Sequence, residues 1–97
     1  MAEVVCSAHA LEDLERAFRS LLAENPSVVL DAAAAIQSAV DSLAAHPLVG
    51  RRIEGDLREL VISFGATGYI ALYRFVVRRN QVRVLALRSQ REIGYLP

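Results

Sequence analysis

The chain has 97 residues, a formal net charge of zero and a hydrophobic fraction of 54%. This length predicts a single domain over residues 1–97. A balanced charge argues against a generally basic nucleic-acid binder, and a lone cysteine, which has no internal disulfide partner, indicates a reducing compartment such as the cytoplasm. We find no signal peptide and no apolar run that looks long enough to cross a bilayer, so we expect no membrane association.

The charge is unevenly distributed along the chain. Residues 1–49 carry two arginines and seven acidic residues, whereas residues 50–97 carry nine arginines and four acidic residues, so the halves have net charges of −5 and +5. This division predicts a basic face that meets an anionic partner. Every basic residue is arginine, which suits binding of phosphate or carboxylate, although a genome that prefers arginine codons would produce the same composition.

The first half of the chain predicts a short strand and a helical hairpin. The strand lies at residues 4–6, and Ser7 can cap the helix that follows. That helix carries an apolar stripe at helical spacing: Leu11, Leu14, Phe18, Leu21 and Leu22. A break at Asn25 and Pro26 starts a second helix, which ends before Pro47. Its stripe consists of Val29, Ala33, Ile36, Val40 and Leu43.

The second half changes to the period of two that is typical of strands. Gly50 and Gly55 indicate a loop at residues 48–56. Strands are then predicted at residues 60–64, 69–77 and 82–87, with turns at residues 65–68 and 79–81. Tight turns make these three strands an antiparallel meander. The order β-α-α-β-β-β predicts an α+β two-layer sandwich, in which the helical hairpin covers one face of an antiparallel sheet and the chain leaves the other face uncovered.

Little in the sequence indicates metal, cofactor or nucleophilic chemistry. The two histidines, His9 and His46, are far apart, and no spaced set of cysteines and histidines exists. No glycine-rich loop could cradle a phosphate. A pair of Cys6 with His9 lacks an orienting acid, so we expect Cys6 to be a small buried hydrophobic residue. We therefore predict no metal and no cofactor.

The remaining signal is arginine interleaved with aromatic residues. Such residues lie in or beside the strands and in the tail: Arg58, Arg74, Arg83, Arg88, Arg91 and Tyr95. On its strand, Arg74 points to the side opposite Tyr73 and Phe75. Such a face can hold phosphates and stack a base on a ring. The alternative is an ordinary charged sheet edge that discourages aggregation, and chemistry alone favours that alternative.

Three segments, residues 58–62, 68–75 and 82–95, resemble the RelE/ParE toxin superfamily in their order and spacing. The link at residues 43–50 is similar to the Leu-x-x-x-Pro-x-x-Gly pattern of that family, and the resemblance covers nearly the whole chain. It implies the β-α-α-β-β-β fold and a cytoplasmic toxin that a cognate antitoxin neutralises within a hetero-oligomer. An extended or helical antitoxin segment would cover the spare apolar surface.

The resemblance leaves two branches open. RelE-like members cut messenger RNA in the ribosome, whereas ParE-like members bind DNA gyrase without nuclease chemistry. The lysines common in the RelE branch are absent from this chain, and Arg51 and Arg52 lie in the loop where such basic residues would be expected. Residues 87–95 resemble a motif common in ParE-like proteins, but Ser89 stands where that motif usually has histidine. Without a proton-transfer group we favour a non-enzymatic, ParE-like inhibitor. The alternatives are a ribosome-dependent endoribonuclease and a degenerate member that only binds a partner.

The resemblance also assigns expected roles to residues. Contacts with the target or its phosphates are expected from Arg58, Arg74, Arg88, Arg91 and Tyr95. If the chain is a ribonuclease, its catalytic candidates are Arg58, Arg91 and Tyr95. Contacts with the antitoxin are expected from Leu11, Leu14, Phe18, Arg74 and Arg83.

Overall fold

Two helices pack on one side of a five-stranded sheet in the computed structural model, which describes residues 1–64 and 67–90. The elements in chain order are β1 (Glu3–Cys6), α1 (Ala8–Glu24), α2 (Val29–Ala45), β2 (Arg51–Glu54), β3 (Leu57–Phe64), β4 (Thr67–Val76) and β5 (Gln81–Ser89). The α+β two-layer sandwich with its helical hairpin is therefore confirmed. A one-turn 3-10 helix, Pro26–Val28, joins the two α-helices.

The strand order is β1-β5-β4-β3-β2. The meander of β3, β4 and β5 is antiparallel as predicted, but β1 lies parallel to β5, so the sheet is mixed. The prediction of a loop at residues 48–56 was wrong for β2. All four residues of β2 are exposed, so it lacks the half-buried alternation that identifies a strand in sequence. It is an edge strand that exists because β3 offers a hydrogen-bonding partner.

The buried side of α1 differs from the predicted apolar stripe. Its fully buried residues are Ala10 and Asp13, and they are flanked by the partly buried Leu14, Ala17, Phe18 and Leu21. Leu11 and Leu22, which belong to the predicted apolar stripe, are each more than half exposed. The helix is therefore rotated relative to the prediction, and an acid occupies a core-facing position.

Asp13 is buried because it completes the hydrogen bonding of β5. The pairing between β1 and β5 ends at Cys6, opposite Val84, so none of the described strands lies beside the following edge of β5. The backbone N–H of Leu87 donates instead to Asp13 Oδ2 at 3.0 Å. Ser7 also bonds to this edge, because its hydroxyl donates to the carbonyl of Leu85 at 3.2 Å. The same hydroxyl accepts from the Ala10 N–H at 3.0 Å, which confirms the predicted helix cap.

The second helix supplies most of the apolar cover over β1 and β3. Ala32, Ile36 and Leu43 are its buried residues. Together with the preceding turn, the segment Pro26–Ala45 is long and apolar enough to cross a membrane by length and composition alone, so the expectation that no run reaches that length was wrong. In the fold, its buried side packs against the sheet.

Candidate target-binding face

The sheet has a second side on which none of the described helices packs, here called the open face. Alternation along β4 places Ile70, Leu72 and Arg74 on it, because Tyr69, Ala71 and Tyr73 are buried on the helix side. Strand pairing extends the face to β3, β5 and β1. Its members from those strands include Leu57, Glu59, Val61, Arg83, Arg88 and Val5. Arginines and half-buried aliphatic side chains therefore share this surface.

The arginines of the open face have different partners. Arg74 forms an ion pair with Asp56, which lies in the turn between β2 and β3. Arg83 Nε donates to the Gln81 side-chain oxygen at 2.7 Å, and the Gln81 amide donates to Glu3 at 2.7 Å. The Arg88 side chain is exposed and has no hydrogen bond or ion pair with the part of the chain that the structure describes. It is the arginine of this face that is most available to an anion.

Arg58 was expected to contact the target together with these arginines, but it lies on the other side of the sheet. Its position on β3 is opposite the buried Tyr73 of β4. Its guanidinium donates to the carbonyl oxygens of Leu48 at 3.1 Å and Gly50 at 2.8 Å. These carbonyls belong to the link between α2 and β2, which also has a buried hydrogen bond: the Gly50 N–H donates to the Tyr73 hydroxyl at 2.8 Å. In this arrangement Arg58 secures the link between α2 and β2.

Replacing Arg58 with glutamine should therefore lower stability. The variant loses the charge-assisted bonds to Leu48 and Gly50, and we expect a cost of about 1 kcal/mol, or roughly 4–8 °C in Tm. Thermal unfolding followed by circular dichroism measures this. Arg88→Gln is the matched control and should leave Tm nearly unchanged. Equal Tm values for the two variants would contradict the assignment of Arg58 to the link.

The aromatic rings of the strands do not reach the open face. Tyr69 and Tyr73 are buried under the helices, and Phe64 and Phe75 pack against the same core. Burial of its ring raises the pKa of Tyr69, and the Glu24 carboxylate raises it further, so its phenol stays neutral at physiological pH. The expected stacking of a base on a ring therefore has no support from these four residues.

Two of the expected site residues, Arg91 and Tyr95, lie outside the described residues. Among the others, the structure brings Arg74 and Arg83 together as direct cross-strand neighbours. Leu11, Leu14 and Phe18 lie on α1, on the helical side of the sheet. A partner that contacts both the arginines of the open face and the apolar residues of α1 must pass around an edge of the sheet.

The link between α2 and β2 adds a small apolar surface. Leu48 and Val49 are exposed, and together with His46 and Pro47 they line a shallow depression of about 390 Å³. The bonds to Arg58 and Tyr73 fix the backbone that carries these side chains. Sequence reasoning missed this surface because a loop of exposed aliphatic residues has no periodic pattern.

Cys6 is solvent-exposed rather than buried, contrary to the prediction. The protein around it still desolvates the thiol enough to raise the pKa of Cys6, which lowers the thiolate fraction at neutral pH. His9 lies beside Asp13, with its Nε2 3.4 Å from Oδ2. Within residues 1–64 and 67–90, no three histidine, cysteine or acidic residues are grouped as metal ligands would be.

Comparison with known proteins agrees with this fold and with the resemblance in sequence. The family model for the ParE toxin of the type II toxin–antitoxin system parDE matches residues 4–94. Toxin RelE3 of Caulobacter vibrioides is 40% identical over 74 residues, which cover 76% of this chain and 80% of that protein.

Two solved complexes share the architecture. The toxin–antitoxin ParDE system of P. aeruginosa aligns with a TM-score of 0.70 at 21% identity, and the RelBE complex of E. coli aligns with a TM-score of 0.62 at 12% identity. Each alignment covers 91% of this chain and 95% of the other chain. At these identities they show the fold alone. The family model and the curated relative show more: the chain belongs to the ParE toxin family of type II toxin–antitoxin systems, within the RelE/ParE superfamily.

Proposed function

We propose that this toxin arrests growth by binding DNA gyrase in the cytoplasm, without cleaving RNA, and that a cognate antitoxin silences it. The observation that carries the proposal is the chemistry of the open face. Its described members offer guanidinium groups and aliphatic side chains but no histidine or lysine, and its carboxylate, Glu59, is held in an ion pair with Arg51. His9 lies on α1 and His46 follows α2, and the chain contains no lysine. A guanidinium can hold an anion but cannot take up a proton at neutral pH.

Similar solved structures, exposed apolar residues and the charge of the second half of the chain support an antitoxin partner. Two of the similar solved structures are toxin–antitoxin systems from P. aeruginosa and E. coli. The apolar residues exposed on this chain, Leu11, Leu22, Leu48, Val49, Ile53 and Val61 among them, are the kind of surface that a bound partner covers. Residues 50–97, with their net charge of +5, suit an acidic partner.

The test of gyrase inhibition combines growth and biochemistry. Induced expression without antitoxin should stop growth, and the purified toxin should trap gyrase–DNA cleavage complexes in a plasmid assay. The double variant Arg74→Gln/Arg83→Gln should weaken that activity at unchanged Tm, because both side chains are on the surface. Growth arrest without any effect on gyrase would overturn the gyrase assignment.

A ribosome-dependent endoribonuclease is the second candidate, favoured by the 40% identity to Toxin RelE3 of C. vibrioides. In that case messenger RNA should be cut at ribosome-bound codons soon after induction, as primer extension would reveal. Intact messenger RNA during growth arrest excludes it. A chain that is harmless on overexpression would instead be a degenerate member that only binds its partner.

A further inference from the structure

Two like charges face each other directly on the open face. Arg74 of β4 and Arg83 of β5 are cross-strand partners in the antiparallel register. Side chains in such positions are close neighbours, and like charges there are destabilising. One carboxylate, that of Asp56, pairs with Arg74, whereas Arg83 is bonded to the neutral amide of Gln81. The pair therefore keeps an excess positive charge at a point where a further anion would be stabilising.

The surroundings of this pair indicate what kind of anion fits. The same row across the sheet continues to Leu57 on one side and Val5 on the other. Leu72 precedes Arg74 on the same face and is half-buried, and Val61 is more than half exposed. A ligand covering this row meets aliphatic groups and guanidinium groups together. An acidic polypeptide segment with apolar residues satisfies both, because it buries the aliphatic side chains while its carboxylates contact the arginines.

Asp56 already occupies one of the two guanidinium groups. Asp56 lies in the turn between β2 and β3, next to Gly55, which has a positive φ of 57°. The Arg52 Nε donates to the Gly55 carbonyl at 2.6 Å within this turn. Both members of the Asp56–Arg74 pair are substantially exposed, with side-chain accessibilities of 62% and 45%. An ion pair this exposed contributes little to stability, so a competing carboxylate can replace Asp56 at small cost.

We propose that the Arg74–Arg83 pair is the docking point for a carboxylate of an acidic, partly apolar protein segment, and that this segment displaces Asp56 from Arg74. The identification of that segment with the antitoxin rests on the proposed function; the site itself rests on the strand register, the ion pair and the aliphatic row. A protein is favoured over single-stranded nucleic acid because the strand aromatic residues, on which bases would stack, are buried on the opposite side.

The experiment uses the purified full chain and a fluorescein-labelled ten-residue peptide of alternating leucine and glutamate, with binding followed by anisotropy. Asp56→Asn should tighten binding by about two- to five-fold, because it removes the competing carboxylate. Arg74→Gln and Arg83→Gln should each weaken binding at least about five-fold, in keeping with the loss of a charge-assisted bond. Titration of the side-chain Nε–H signals by NMR locates the peptide on the two arginines.

Asp41→Asn is the matched control, because it removes one negative charge from an exposed acid on α2, away from the open face. A leucine–glutamine peptide controls for apolar contact, and a twelve-residue oligothymidylate tests nucleic acid. Equal effects of Asp56→Asn and Asp41→Asn, or peptide shifts away from Arg74 and Arg83, would overturn the proposal. Tighter binding of the oligothymidylate through the same arginines would assign the face to nucleic acid instead.

The result of the peptide-binding assay is independent of toxicity, because neither gyrase nor ribosomes are present in it. A chain that fails to arrest growth but shows the Asp56→Asn response keeps the docking point and loses the proposed function. A toxic chain without that response keeps the function and loses the docking point.

Discussion

Replacing Gly50 with alanine should lower the free energy of unfolding by about 3 kcal/mol, at the upper end of what overpacking costs. A Cβ at this position would lie 2.5 Å from the Tyr73 hydroxyl oxygen, 2.6 Å from Cε1 of the same ring and 2.8 Å from the Glu59 carbonyl oxygen. The ring is fully buried and the carbonyl belongs to β3, so neither can move aside easily. Chemical denaturation measures the loss.

Gly55→Ala is the matched control for the Gly50 variant. Nothing lies within 4 Å of a Cβ at Gly55, but its φ is +57°, so its cost comes from backbone conformation alone and should be about 1 kcal/mol. Adding Tyr73→Phe to the Gly50 variant removes the nearest oxygen and should give a non-additive double-mutant cycle. A cost for Gly50→Ala no larger than that for Gly55→Ala would contradict the close packing of the link.

Replacing Asp13 with alanine should cost about 2–3 kcal/mol, which corresponds to roughly 10–20 °C in Tm for a domain of this size. The change leaves the buried N–H of Leu87 without its acceptor, at a place where no strand within residues 1–64 and 67–90 pairs with this edge of β5. Thermal and denaturant unfolding both report this loss.

Two variants test the cause of the Asp13 effect. Asp13→Asn keeps a side-chain oxygen that can accept from Leu87 and should cost about 1 kcal/mol, less than alanine does. Glu12→Ala changes the neighbouring exposed acid and should stay within about 0.5 kcal/mol of the parent. If alanine at position 13 is as harmless as alanine at position 12, Asp13 does not stabilise the edge of β5.

The position of Asp13 could not be predicted from periodicity. The pattern of large apolar residues on α1 includes Leu11 and Leu22, yet the helix turns a side with Ala10 and Asp13 towards β5. The reason is long-range: β1 is shorter than β5, and the uncovered N–H of Leu87 needs an acceptor. Small residues on that side also let the helix approach the strand closely.

The separation of Arg58 from Arg74 also depends on the register of one strand pair. Leu57, not Arg58, is opposite Arg74, so Arg58 shares its side of the sheet with the buried Tyr73. A shift of one residue would exchange the two faces of β3. The sequence showed that arginines lie in neighbouring strands but contained no local signal for this register.

The sequence by itself determined the order of the elements other than β2, the two helices, the antiparallel meander and the resemblance to the toxin superfamily, because these follow from local periodicity, turn residues and short motifs. The tertiary structure alone decided the parallel pairing of β1 with β5, the existence of β2 and the faces on which the arginines lie. The physical reason is that strand pairing satisfies backbone hydrogen bonds between distant segments, so the position of each side chain depends on neighbours remote in the sequence.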